Sequence, residues 1–191
     1  MKKYLRGVIC GIITILKYLY LKIVHGKNFE FSLFSFCSPL SEIEISKGGF
    51  LHIGNNLKMR SNSHLRVRSG GKMTLGRNVS LNYGNMIVCH DSIRIGNNVQ
   101  LAPNVMIYDH DHDFRTIGGI NSMKYKTSSI EIGDNVWIGA NVVILKGVCI
   151  GDNCVIAAGS IVTKNVPKDT ILIQKHETIL KKYDTKGVNN V

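Results

Sequence analysis

Residues 109–113 read Asp-His-Asp-His-Asp, carboxylate and imidazole in strict alternation. A neutral imidazole titrates near ~6.5, so it can take a proton from a hydroxyl at neutral pH, and a carboxylate or carbonyl on its second nitrogen fixes the tautomer. His110 or His112 could therefore act as a general base. Alternating His and Asp could equally bind a metal ion. A third reading is an ordinary solvated loop, since runs of charge usually mean exposure. The chain carries no serine- or cysteine-nucleophile motif, so a group transfer at this site is expected to run directly, without a covalent enzyme intermediate.

The elements around this stretch are set by a repeat. From Ile132 six hexapeptides follow one another: I-G-D-N-V-W, I-G-A-N-V-V, I-L-K-G-V-C, I-G-D-N-C-V, I-A-A-G-S-I and V-T-K-N-V-P. The first position is always aliphatic and the fifth always small or β-branched. Earlier units are headed by Ile95, Leu101 and Ile107, by Leu75, Leu81 and Ile87, and more loosely by Ile53, Met59 and Leu65. A period of six matches neither a helix nor simple strand alternation. It predicts one short strand and one turn per unit, three units closing a triangular coil. First-position side chains then stack as a dry core, and glycine and asparagine take the left-handed turns. The expected architecture is an all-β parallel β-helix over 43–168 with six or seven coils. Between Ile107 and Ile132 the repeat breaks for longest, and an excursion from a rigid scaffold is where function tends to sit.

The hexapeptides resemble the hexapeptide-repeat acyltransferases. The resemblance implies a left-handed β-helix, a homotrimer with active sites in the clefts between subunits, and acetyl-CoA as acyl donor. The stretch Leu101-Ala-Pro-Asn-Val-Met-Ile-Tyr resembles the segment before the catalytic histidine of sugar O-acetyltransferases, where the histidine follows the asparagine by eight positions. That is His112, with His110 second. Asn82 matches an acceptor-binding asparagine, while the nearby acceptor-binding aspartate is replaced by His90, which is as readily a structural histidine. The coenzyme A track implied by the resemblance runs along Gly139, Ala140, Ala158 and Gly159, then Thr163 and Lys164, with Lys168 nearby. The bland alternative is that these glycines serve turns only. Trp137, the only tryptophan, is expected on the prism surface, lining the acceptor pocket or the trimer interface. The tail Ile171-Leu-Ile-Gln-Lys-His-Glu departs from the family's usual ending. The γ-type carbonic anhydrases share this prism but use H-x-x-x-x-H, whereas the spacing here is H-x-H, so no metal is expected.

The function implied is an O-acetyltransferase acting on a sugar or surface polysaccharide such as capsule. N-acetylation, serine acetylation, a non-catalytic assembly role and a metal-dependent enzyme like the γ-type carbonic anhydrases stay open. The net charge of +11 is concentrated at the start: residues 1–29 hold six basic residues and no acid. This favours an anionic lipid surface over nucleic acid as partner. Within 1–30, Leu5, Val8, Ile9, Ile12, Leu16, Leu19 and Ile23 fall on one stripe of a helix. That stripe would pack on protein or lie on a membrane. Five cysteines without a CxxC suit reduced thiols in the cytoplasm, with the helix making the protein cytoplasmic or peripheral on the inner membrane face. The remainder, 169–191, reads as a tail, frayed from 181.

Overall fold

A computed structural model of the chain describes residues 2–175 and 177–181, with side chains from Gly7 onward. The last ten residues of the expected tail lie outside the described residues.

The prism is the parallel β-helix expected from the repeat, left-handed as the resemblance implies, with all strands of its three faces in parallel register. The first face stacks six strands from Phe29–Phe31 to Cys149–Ile150, the second seven from Phe36–Cys37 to Ile171–Leu172, and the third six from Glu42–Ile45 to Ile161–Val162. The repeat positions explain the register. Ile95 stacks between Leu75 and Ile132, Leu101 between Leu81 and Ile138, and Ile107 between Ile87 and Ile144. All these side chains are buried, each worth about 1.5–3 kcal/mol against exposure.

The corner between the first and second faces carries an asparagine at the same place in coil after coil. Asn56, Asn78, Asn98, Asn135 and Asn153 have φ between 56° and 62°, the left-handed region that asparagine tolerates. Each side-chain amide donates to the next: Asn56 to Asn78, Asn78 to Asn98, Asn98 to Asn135, Asn135 to Asn153, and Asn153 to Asp169, at 2.8–3.1 Å. The ladder's sequence steps are 22, 20, 37, 18 and 16 residues. The single long step spans the excursion.

The prism begins earlier than expected, at Phe29 and not at about residue 43. The first coil was hidden because Phe29, Phe31 and Cys37 stand where later coils use Ile, Leu and Val. These aromatics meet a helix: α1 (Lys2–His25) packs Tyr18 against Phe29 and Phe31, with ring centroids 5.5 and 5.0 Å apart. The helix covers the open edge of the first coil, where no preceding strand can pair. Thr14 Oγ1 accepts from the Cys37 amide at 2.7 Å, Lys17 Nζ donates to the Ser41 carbonyl at 2.6 Å, and Lys22 Nζ donates to the Phe29 carbonyl at 2.9 Å. Solenoids need such caps because a bare edge exposes unpaired backbone groups. Burial lowers the Lys17 ammonium below its ordinary range.

The packed face of α1 is therefore Thr14, Tyr18 and Leu21, and not the apolar stripe read from the sequence. Val8, Ile12, Leu16, Leu19 and Ile23 are 48–85% exposed. Polar edge groups selected the face that could hydrogen-bond to them.

Candidate active site

The third corner, between the third and first faces, is where the coils differ. Gly48, Gly70 and Gly147, each with φ 79°, turn the chain in three of them. In the coil of Met86–Cys89 the turn is His90-Asp91, and in the next coil the excursion leaves at Asp109 and returns at Ile130–Ile132.

The excursion starts as an antiparallel ribbon. His110–His112 pairs with Tyr125–Thr127, placing His110 opposite Thr127 and His112 opposite Tyr125. Backbone bonds close both ends, Ser128 N to Asp109 O at 2.9 Å and Asp113 N to Lys124 O at 2.8 Å. Its tip turns through Gly118 and Gly119, both at positive φ, into the short 3-10 helix Gly119–Ser122. Two ion pairs brace it, Lys146 Nζ to Asp111 Oδ2 at 2.7 Å and Lys126 Nζ to Asp113 Oδ1 at 3.2 Å.

Asp109 is the pivot. Its carboxylate is fully buried and accepts the backbone amides of His90, at 2.8 and 3.1 Å, and Asp91, at 2.8 Å. It also lies 3.3 Å from His110 Nδ1, accepting from it when that nitrogen carries the proton. One side chain thus replaces the missing glycine turn of the coil before and orients the first imidazole of the ribbon. Charge-assisted bonds to backbone N–H are the strong kind.

The rings form a column. His90 stacks 3.9 Å from His110 and 4.2 Å from Tyr125, and Tyr125 lies 4.7 Å from His112. The His110 side chain is 12% exposed, whereas His112 faces solvent. Burial and the neighbouring His110 push His90 down to about 4, aided by Arg68 and His112 and opposed by Asp109. His90 is accordingly neutral at neutral pH. The buried Cys89 thiol is raised above its ordinary range, by desolvation first and by Asp109 second, so it stays protonated. Of the two ribbon imidazoles, His112 is the one a ligand can reach.

The other residues singled out from the sequence are not gathered here by a single chain. Asn82, Gly139, Ala140, Ala158 and Gly159 line the second corner, between the second and third faces. Gly159 turns at φ 74° with open space beside it, but Gly139 is buried, and a Cβ there would meet the Ala158 amide at 2.5 Å. Close coil stacking is thus a sufficient reason for that glycine. Thr163 and Lys164 are exposed at the third corner, in the turn before Val166, while Lys168 lies at the first corner in a shallow groove with Arg94, Glu131, Asp134 and Asp152. Trp137, 56% exposed, lines a hollow with Asn98, Gln100 and Asn135 on the second face. Among the described residues, no group of three or more His, Cys, Asp or Glu side chains is arranged to hold a metal ion.

Asp109, Tyr125 and Lys146 escaped sequence reasoning as site residues. Asp109 was visible only as one of the alternating charges. Its role depends on amides of a turn one coil away, and the one available signal was that His90-Asp91 lacks the glycine that turns three other coils at this corner.

Residues 129–164 match the family described as bacterial transferase hexapeptide (six repeats). The chain is 34% identical over 147 residues to galactoside O-acetyltransferase of Lactococcus lactis, covering 74% of this chain and 68% of that protein. It is 43% identical over 106 residues to galactoside O-acetyltransferase of Escherichia coli, covering 53% of this chain but only 50% of the relative, so the match spans half of that enzyme. An alignment over 92% of the chain and 90% of the relative, at 27% identity, joins it to a putative lipopolysaccharide biosynthesis O-acetyl transferase of E. coli. A solved galactoside acetyltransferase in complex with coenzyme A shares 31% identity and a TM-score of 0.51, over 75% of this chain and 58% of that one. With the prism, the hexapeptide register and the Lactococcus relative agreeing, the chain belongs to the hexapeptide-repeat acetyltransferase family.

Proposed function

We propose that this protein transfers an acetyl group from acetyl-CoA to a hydroxyl of a sugar, within the assembly of a cell-surface polysaccharide. The observation that carries the reading is the excursion: it presents an exposed His112 eight residues after Asn104, on a ribbon fixed to the prism by the buried Asp109. In the reaction His112 accepts the proton as the acceptor oxygen attacks the thioester carbonyl. The C–S bond breaks, and the same proton returns to the departing thiolate. The developing negative charge on the acceptor oxygen then never has to persist in solution. Direct transfer fits the Cys89 thiol, which is held protonated beside Asp109.

The acceptor and donor contacts require more than one chain in this reading. Asn82 and the Ala158–Gly159 turn stand at the second corner, and His112, Thr163 and Lys164 at the third. In a homotrimer of prisms, the third corner of one copy can face the second corner of its neighbour across a cleft, with Trp137 or His90 available to the acceptor. Coenzyme A would run along that cleft, its pantetheine against Ala140, Ala158 and Gly159 and its phosphates toward Lys164. The five free cysteines suit the reducing cytoplasm, where acetyl-CoA is formed. The polysaccharide assignment draws on the relative named for lipopolysaccharide biosynthesis.

The test is to incubate the protein with acetyl-CoA and a panel of glycosides, amino sugars, serine and polysaccharide fragments, following thiol release and product mass. Acetyl esters on a sugar support the proposal. Acetyl amides would move it to N-transfer, and thiol release with no acceptor in the panel acetylated would count against a sugar substrate.

A further inference from the structure

The outer face of α1 is used by nothing in the prism. Thr14, Lys17, Tyr18, Leu21 and Lys22 hold the helix on the open edge of the first coil. The opposite face therefore points along the prism axis, away from the body. Between Gly7 and Val24 that face is apolar without interruption. Val8, Ile12, Leu16, Leu19 and Ile23 lie within an arc of about 80° at the helical period of about 3.6, flanked by Ile9, Ile15 and Tyr20. Its length is about 23 Å at about 1.5 Å per residue. An apolar surface of this extent on a soluble protein marks an interaction site.

Two observations choose the occupant. The two lysines within the helix body that the sequence offers as lipid anchors are spent on the first coil's own carbonyls, which leaves the outward face free of charge. The remaining cations stand at its ends, Lys2, Lys3 and Arg6 before it and Lys27 after it, with no acidic residue among the first 29. An uncharged apolar band bounded by cations matches a bilayer surface rich in acidic lipid, with hydrocarbon below and phosphate at the rim. A side-by-side neighbour prism would meet the faces or corners of the solenoid and leave its pole open.

We infer that α1 is an in-plane membrane anchor: its outward face enters the interface of an anionic bilayer while its inward face stays on the first coil, standing the prism upright on the membrane. By length and composition the same helix could cross a bilayer, but spanning would strip Thr14, Lys17 and Lys22 from the edge groups they satisfy. The inference is independent of the acetyl-transfer reading.

The experiment uses the full chain in sedimentation with vesicles of phosphatidylcholine alone and of phosphatidylcholine with phosphatidylglycerol. Wild type should partition onto the acidic vesicles, and Ile12→Asp/Leu16→Asp should weaken that at least about tenfold by placing charge in the apolar band. Because both positions face solvent, the variant should melt like wild type and keep its turnover on a soluble acceptor. High salt should weaken binding only in part, since the apolar contribution is unscreened. No partition of wild type, or equal partition of the variant, overturns the anchor. So does resistance to alkaline carbonate extraction, which would mean a span. A drop in oligomer size in the double variant, without vesicle binding by wild type, would assign the face to a second copy.

Discussion

Two corners of one prism face opposite fates. The first corner repeats the same left-handed asparagine in five coils and links the side chains into a ladder that ends on Asp169. The third corner has glycine turns in three coils, but His90-Asp91 and then a long excursion in the two between. The ladder bridges across the excursion without a break: Asn98 bonds Asn135, 37 residues on, at 2.9 Å, the same length as Asn56 to Asn78. The scaffold therefore absorbs an insertion at one corner because the other corners keep the coil in register. The imidazoles sit where a turn was given up, and the buried Asp109 carboxylate restores the amide bonds that the missing turn would have made.

The comparison is broken most severely from the core, which both corners share. Ile144 is fully buried, stacked on Ile107 and Val162. Ile144→Asp places a carboxylate there without a partner, and the loss should exceed about 4 kcal/mol, enough to abolish folded protein. Soluble yield and thermal melting check it; wild-type-like melting would refute the stacking register.

The third corner should break differently, in rate and not in stability. His112→Ala should lower turnover by about 10²–10⁴, the range for a positioned general base, with stability changed by no more than about 0.5 kcal/mol at this exposed site. His110→Ala should do the reverse. It removes the ring packed between His90 and Asp109, so melting falls more and turnover less. Steady-state rates and melts on the same two variants decide the matter. If His110→Ala proves the more damaging to turnover, the base is the inner imidazole.

The two corners also differ in how far they could be read in advance. The hexapeptide register predicted the coils from Ile53 onward because each first position is an aliphatic that ends up buried. It missed the first coil, where Phe31, Cys37 and Ile43 keep the spacing of six but an aromatic and a cysteine, with Phe29 and Phe31 packed on Tyr18 of α1, take the place of aliphatic heads. Hydrophobicity picked out the outward stripe of α1, and it could not show the face that packs on the prism, because the first coil's edge demanded hydrogen-bonding groups. In the candidate site, alternation of His and Asp marked the stretch where the chain leaves the prism, but spacing could not tell which carboxylate was buried. Asp109 became distinct only once the coil before it was known to pass within 2.8 Å.

A milder break tests the ladder. Asn98 both accepts from Asn78 and donates to Asn135, with φ 56°. Asn98→Ala removes both bonds and puts a Cβ-bearing residue without side-chain compensation in the left-handed region, which should cost about 1–3 kcal/mol. Asn98→Gly relieves the backbone part alone and should recover about 1 kcal/mol of it. Equal stability of the two variants in urea melts would show that backbone conformation contributes nothing at this corner, and that the ladder acts through its amides only.

The smallest effect expected belongs to His90, and its sign follows from its surroundings. Burial and His110 hold the folded-state value at about 4, below the ordinary 6.5. As pH falls through 6.5 the unfolded chain takes up the proton before the folded one does, so protonation favours unfolding. The contribution is complete above 6.5, declines as pH falls from 6.5 toward 4, and levels off below. Because the ring is only partly enclosed, solvent screening reduces the size of the effect. Glu42 and Asp134 are held below the ordinary carboxylate range by His64 and Asn97 respectively. Stability from these carboxylates is lost only at the lower, acidic end of the scale. Replacing the ring by a neutral amide in His90→Gln should therefore flatten the dependence between pH 6.5 and 5 and leave the steeper loss below 4.5 in place. Urea midpoints of both proteins at pH 7, 5 and 4 measure this directly. A slope between pH 7 and 5 that is unchanged in the variant would mean that the imidazole column is open to water, and that the third corner differs from the first in shape alone.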